Sequence, residues 1–68
     1  MIYTIETEQE VDGRWIADIP DIPGAMFYGE TRDQAIALAE GLALRVIAER
    51  IEQGEQPVAP IKISFEAA

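Results

Sequence analysis

The sequence predicts an α+β fold of order β-β-β-α-β, a small, mostly antiparallel sheet with one long helix on one face, in a single domain over residues 1–68. Three observations predict it. Apolar and polar residues alternate with a period of two through the first third of the chain, and Pro and Gly cut that region into three short segments. From Thr31 to Gly54 the period lengthens to that of an amphipathic helix, after which alternation returns.

In MIYTIETEQEV, Met1, Tyr3 and Ile5 share one face, and Thr4, Glu6, Glu8 and Glu10 lie largely on the other, the pattern of a half-buried strand. Asp12-Gly13 is the kind of pair that supplies positive φ in a tight hairpin, so residues 11–14 turn the chain into a second strand. There Trp15, Ala17 and Ile19 alternate with Ile16 and Asp18. Pro20 cannot donate to a ladder and ends that strand, while Pro23-Gly24 suits the centre of a type II turn that aims residues 25–29 as a third strand.

Thr31 and Gln34 have capping-box spacing, and Asp33 suits the positive end of the helix dipole. The helix runs to Gly54, a natural C′ residue, with Arg45 and Arg50 in its later half and Pro57 beyond. Ala35, Ile36, Leu38, Ala39, Leu42, Ala43, Val46 and Ile47 form one apolar arc, interrupted by Arg50, to cover the sheet. Apolar character continues to Ala37, Leu44 and Ile51, which implies a second, partly buried contact. Gly41 costs about 1 kcal/mol relative to Ala inside a helix, so another helix or strand is expected to approach it closely. Arg45 and Glu49, four apart, read as an exposed ion pair. After a linker-like stretch, residues 52–60, a last strand over 61–65 places Ile61, Ile63 and Phe65 on one face.

Ile2, Ile16 and one of Met26 or Phe27 then point away from the helix, leaving a second apolar patch of the kind that marks an interface. With 68 residues and neither Cys nor His, the chain has no disulfide or Cys/His metal site to reinforce a small core. Self-association, as a dimer or higher oligomer, is the expected remedy. The net charge of −8, from 13 acidic and 5 basic residues, disfavours nucleic acid and favours a basic partner. No apolar run approaches the roughly 18 residues that span a bilayer, and no basic, apolar leader precedes the first strand, so a cytoplasmic, membrane-free protein is expected.

Gly13, Trp15, Ala17, Pro20, Pro23, Gly24, Gly29, Thr31 and Ala35 together resemble the core motif of the HicB-like antitoxin domain, and the similarity extends over nearly the whole chain. The resemblance implies a partial RNase H-like fold that binds and silences a basic HicA-type toxin, an enzyme that cleaves messenger RNA. Many members of that family add a C-terminal DNA-binding domain; this chain stops at Ala68, directly after the last strand, so direct DNA binding is not expected. Gln34 stands where the family often has an acidic residue, and Ala25 where Cys or Val is frequent. The alternative is an orphan member of the fold that binds some other protein.

The residues put forward for partner contact are Trp15, Asp18, Asp21, Tyr28 and Glu30, with Trp15 and Tyr28 open to a packing role instead. Nucleases of the RNase H-like fold gather carboxylates around two divalent metals. The candidates here are Glu6, Glu8, Asp12, Asp18 and Asp21, which the strand and turn assignments do not require to converge. The reading is therefore a non-enzymatic interaction module with no cofactor and no metal.

Overall fold

The computed structural model describes residues 1–54 and 60–68; residues 55–59 of the expected linker, Pro57 among them, lie outside the described residues. The elements are β1 (Ile2–Gln9), β2 (Trp15–Asp18), β3 (Met26–Gly29), α1 (Arg32–Glu52) and β4 (Ser64–Ala67). They form the expected α+β layer, a four-stranded sheet of order β3-β2-β1-β4 with α1 on one face. β1 with β2 and β2 with β3 are antiparallel, whereas β4 runs parallel to β1.

The β1–β2 hairpin closes through Glu10, whose N–H donates to the Arg14 carbonyl at 2.7 Å, while the Gly13 N–H donates to the Glu10 carbonyl at 2.9 Å. Of the Asp12-Gly13 pair only Gly13 takes positive φ, at 92°, as three-residue hairpin loops require at their last position. The β2–β3 connection is built from a repeated Ile-Pro unit. The Ile22 N–H donates to the Ile19 carbonyl at 2.9 Å and the Ala25 N–H to the Ile22 carbonyl at 3.0 Å, giving two consecutive turns with Pro20 and Pro23 each in the second position. Gly24, at φ 87°, meets the type II requirement of the second turn, and an Ile19 N–H to Ala25 carbonyl bond of 3.0 Å closes the loop. The spacing of three turns Ile19, Ile22 and Ala25 inward together, and all three are buried.

Thr31 caps α1, its Oγ1 accepting from the Gln34 N–H at 3.1 Å. The returning arm of the expected capping box lands one residue early: Gln34 Oε1 accepts from the Glu30 N–H at 2.6 Å, not from that of Thr31. At the other end Gly54 has φ 75° and donates its N–H to the Ile51 carbonyl, closing the helix as its C′ residue.

The core lies between α1 and the sheet and consists of Ile5, Ala17, Ile19, Ile22, Ala25, Ala35, Ala39, Ala43 and Ile47, with Tyr3, Trp15, Ile36, Val46, Ile63 and Phe65 packed around it. Small residues dominate it, so the helix rides close to the sheet. At Gly29 there is no room for a side chain, since a Cβ would lie 2.5 Å from the Ala35 backbone nitrogen. Four expectations change here. Leu38, placed in the covering arc, is 38% exposed, because the alanine ridge at positions 35, 39 and 43 takes the central place. Ala37, Leu44 and Ile51 are all exposed, and a Cβ on Gly41 would meet only the Arg45 side chain, 3.7 Å away, so among the described residues no other element approaches that face. Arg45 donates to the Gly41 carbonyl and Gln53 to Glu49 Oε1, leaving Asp12–Arg14 as the one ion pair among the described residues. Finally, β4 begins at Ser64 instead of Ile61, since its partner strand starts at Ile2, opposite Ser64. The expected alternation survives in the side chains: Ile63 and Phe65 pack toward the core and Phe65 lies 5.8 Å from the Tyr3 ring.

Two glycines give opposite expectations. Gly29→Ala should destabilise by about 1–3 kcal/mol, the cost of overpacking a contact in which the obstacle is backbone. Gly41→Ala should stabilise by up to about 1 kcal/mol through helix propensity. Urea denaturation of the two variants measures both. By the same assay, Thr31→Ala should cost about 1 kcal/mol for the lost cap.

Candidate partner-binding surface

Strand registry decides which side chains share the face that α1 leaves open. Residues opposite one another on paired strands point to the same side. Ala17 is buried beneath the helix, so Thr7 and Phe27, its partners on β1 and β3, belong to the helix side, as do Trp15 and Gly29. The open face therefore carries Ile2, Thr4, Glu6 and Glu8 from β1, Ile16 and Asp18 from β2, Met26 and Tyr28 from β3, and Ser64 and Glu66 from β4. Met26, not Phe27, is the member of that pair that joins Ile2 and Ile16 there.

The registry pairs Glu6 with Asp18 and Glu8 with Ile16, and sets Asp18 and Ile16 opposite Met26 and Tyr28. An apolar strip of Ile16, Met26 and Tyr28 is thus bordered by carboxylates. A shallow depression of about 410 Å³ lies over this junction, lined by Glu6, Thr7, Glu8, Ile16, Asp18 and Met26, with no basic group among them. Toward the hairpin the character changes. The Arg14 guanidinium sits 4.7 Å above the Tyr28 ring centroid while its Nε donates to Asp12 at 2.9 Å. Glu10, Val11, Asp12, Arg14 and Tyr28 line a second depression of about 370 Å³ there. The face is polarised, with uncompensated acid over β1 and β2 and a paired cation at the hairpin end.

Of the five residues expected at a partner site, Asp18 and Tyr28 lie on this face. Trp15 is half-buried on the opposite side, against the core, where the packing alternative had put it. Asp21 is exposed in the β2–β3 loop, and Glu30 is exposed at the start of α1, where its N–H is held by Gln34. Ile16 and Met26 complete the surface, as members of the apolar interface patch expected from the alternation; Arg14 was not singled out for it, although the two-residue alternation from Asp18 back through Ile16 to Arg14 was the signal. Among the carboxylates considered for metal, Glu6 and Asp18 face each other, but Asp12 and Asp21 lie in separate turns. No group of three potential ligands that could hold a metal occurs among the described residues. None of the helices described is long and apolar enough to cross a membrane. No family model, curated protein or solved structure gives a significant match to this chain, so the surface itself has to carry the functional argument.

The Asp12 carboxyl is held below its ordinary value of 3.8, chiefly by the Arg14 backbone N–H it accepts, at 3.0 Å. Slight desolvation opposes this, and the Arg14 side chain reinforces it. A carboxyl whose pKa falls on folding stabilises the hairpin above its unfolded value, and that contribution disappears as the pH drops through the lowered, folded value. The stability difference between the protein and its Asp12→Ala variant should therefore be constant near neutrality and shrink in the acid range below 3.8. Urea denaturation as a function of pH, with an NMR titration of Asp12, measures it.

Proposed function

We propose that this chain is a non-enzymatic, cytoplasmic protein-binding module that acts as an antitoxin of the HicB-like kind, using its open sheet face to cover the RNA-gripping surface of a small basic HicA-type toxin. The observation that supports the reading most is the open face itself, an apolar strip of Ile16, Met26 and Tyr28 edged by Glu6, Glu8 and Asp18 on a chain of net charge −8. A toxin that cleaves messenger RNA needs positive charge where it holds the phosphate backbone. An acidic face presented to that groove competes with RNA for the same site, and the toxin is neutralised by masking. The apolar strip supplies the contact that holds the complex together once charge has brought the partners into register.

The two components of such a surface act on different rates. Long-range attraction between unlike charges speeds encounter and is screened by salt, the screening length falling from about 10 Å at 0.1 M to about 3 Å at 1 M. Short-range apolar contact governs dissociation. Neither requires a cofactor.

Co-expression with a basic HicA-type protein encoded beside it should restore growth, and association of the purified pair should slow as salt rises. The double variant Glu8→Lys/Asp18→Lys should reduce the association rate by on the order of tenfold at low salt, while Ile16→Ala should act mainly on dissociation. A folded protein that neither rescues growth nor binds a demonstrably active toxin would transfer the reading to an orphan interaction module with a different partner.

A further inference from the structure

Among the described residues the sheet has two unpaired edges, β3 and β4. The β4 edge is guarded by charge, with Lys62 just before it and Glu66 within it. The β3 edge is not: Met26, Phe27 and Tyr28 are 49%, 45% and 42% exposed, and the strand contains no charged residue and no proline. Its backbone polarity can be worked out. The Ile19 N–H donates to the Ala25 carbonyl, so position 25 turns its carbonyl toward the β2 side. Alternation along an antiparallel ladder then turns Phe27 and Gly29 inward as well, and leaves the N–H and C=O of Met26 and Tyr28 directed outward without a strand partner. Glu30 is the next outward position, and its N–H is already taken by Gln34.

We propose that β3 pairs antiparallel with β3 of a second copy of this chain about a twofold axis at Phe27, setting Met26 opposite Tyr28 of the second copy and joining the two sheets into one of eight strands. Opposed residues must share a sheet face, so a twofold axis here can pass only through a residue. With Phe27 on the axis, all the outward groups of Met26 and Tyr28 are used and four hydrogen bonds form. With Met26 on the axis, Tyr28 would face the turn residue Gly24; with Tyr28 on it, Met26 would face Glu30, whose N–H is occupied. The Phe27 register also sets aromatic against aromatic on the helix side and methionine against tyrosine on the open side, pairs of the stabilising kind.

The helices fit the same arrangement. α1 packs mainly over β3 and β2 and only lightly over β1, so it lies toward the β3 side of the sheet. With strands about 4.8 Å apart and each helix near the paired edge, the twofold brings the two helices side by side on one face, within reach of the roughly 8–10 Å at which helices pack. A right-handed passage from β3 through α1 to parallel β4 turns the flank bearing Leu38, Leu42, Arg45 and Glu49 toward the β3 edge. Leu38 is exposed and Leu42 only half-buried, and neither belongs to the core cluster. They become the contact between helices, above the paired Phe27 rings. Stacking the two open faces instead would press Glu6, Glu8, Asp18 and Glu66 of one copy against those of another.

Sedimentation equilibrium should give a dimer at micromolar concentration. Tyr28→Pro deletes two of the four bonds while leaving the β2 side of the strand intact, because the Tyr28 N–H points away from β2; it should weaken the dimer by on the order of thirtyfold. Phe27→Lys, which places two ammonium groups on the axis, should abolish it at micromolar concentration, whereas Leu44→Glu on the outer helix face should leave it unchanged. Circular dichroism checks that each variant is folded. Amide exchange of the unaltered protein provides a readout that needs no variant: the Met26 and Tyr28 N–H groups should exchange slowly as dimer and quickly on dilution to monomer. A protein that stays monomeric, a dimer that both edge variants leave as tight, or a dimer in which those two amides exchange freely would overturn the pairing.

Discussion

Everything in this fold depends on how closely α1 can approach the sheet. Gly29 marks how close that approach is, because a single added carbon there would run into the backbone of Ala35. The remaining core follows from that closeness: Ala17 and Ala25 lie below the helix and Ala35, Ala39 and Ala43 on it, and the large side chains fully buried among the described residues are Ile5, Ile19, Ile22 and Ile47. Each alanine contributes little apolar area, so the core gains from dispersion at short range more than from bulk. Thr31 belongs to the same constraint, since the cap fixes where the helix starts and hence which residue meets Gly29.

A layer this thin uses one face of its sheet and leaves the other to water. The open face combines acid with a narrow apolar strip, and the β3 edge combines free backbone groups with uncharged side chains. These are two different surfaces. In the paired arrangement inferred above, Met26 and Tyr28 contribute backbone to the edge and side chains to the face, so the two acidic faces would lie side by side in one plane. A basic partner would then meet a surface twice as long as one chain provides.

The strand and helix periods were legible because each depends on residues that are neighbours in sequence: alternation located β1 and β2, and the Pro-Gly turn located the start of β3. The inward stripe of α1 was less so. Hydrophobicity ranks Leu38 and Leu42 above alanine, but where the helix lies close to the sheet shape decides, and the small residues won. Gly41 looked like a packing glycine because its cost in a helix demands a reason, and its surroundings among the described residues supply none. On the open face, alternation placed Ile16 and Asp18 correctly. The cation over Tyr28 was not legible, because it needs the registry of two hairpins at once to bring Arg14 and Tyr28 together.

The parallel pairing of β4 with β1 joins residues about sixty positions apart, such as Ile2 with Ser64, while the other ladders and the helix connect close neighbours. Loop-closure entropy makes such a distant contact the costliest to form, and a strand of four residues returns little for it. The meander and helix therefore constitute a cooperative unit of low contact order, to which β4 is attached at one margin. Its detachment would uncover the backbone of β1 and the Tyr3 ring without disturbing the Gly29 contact. Local opening should thus be graded across the sheet, lowest in free energy at β4 and highest beneath the alanine ridge.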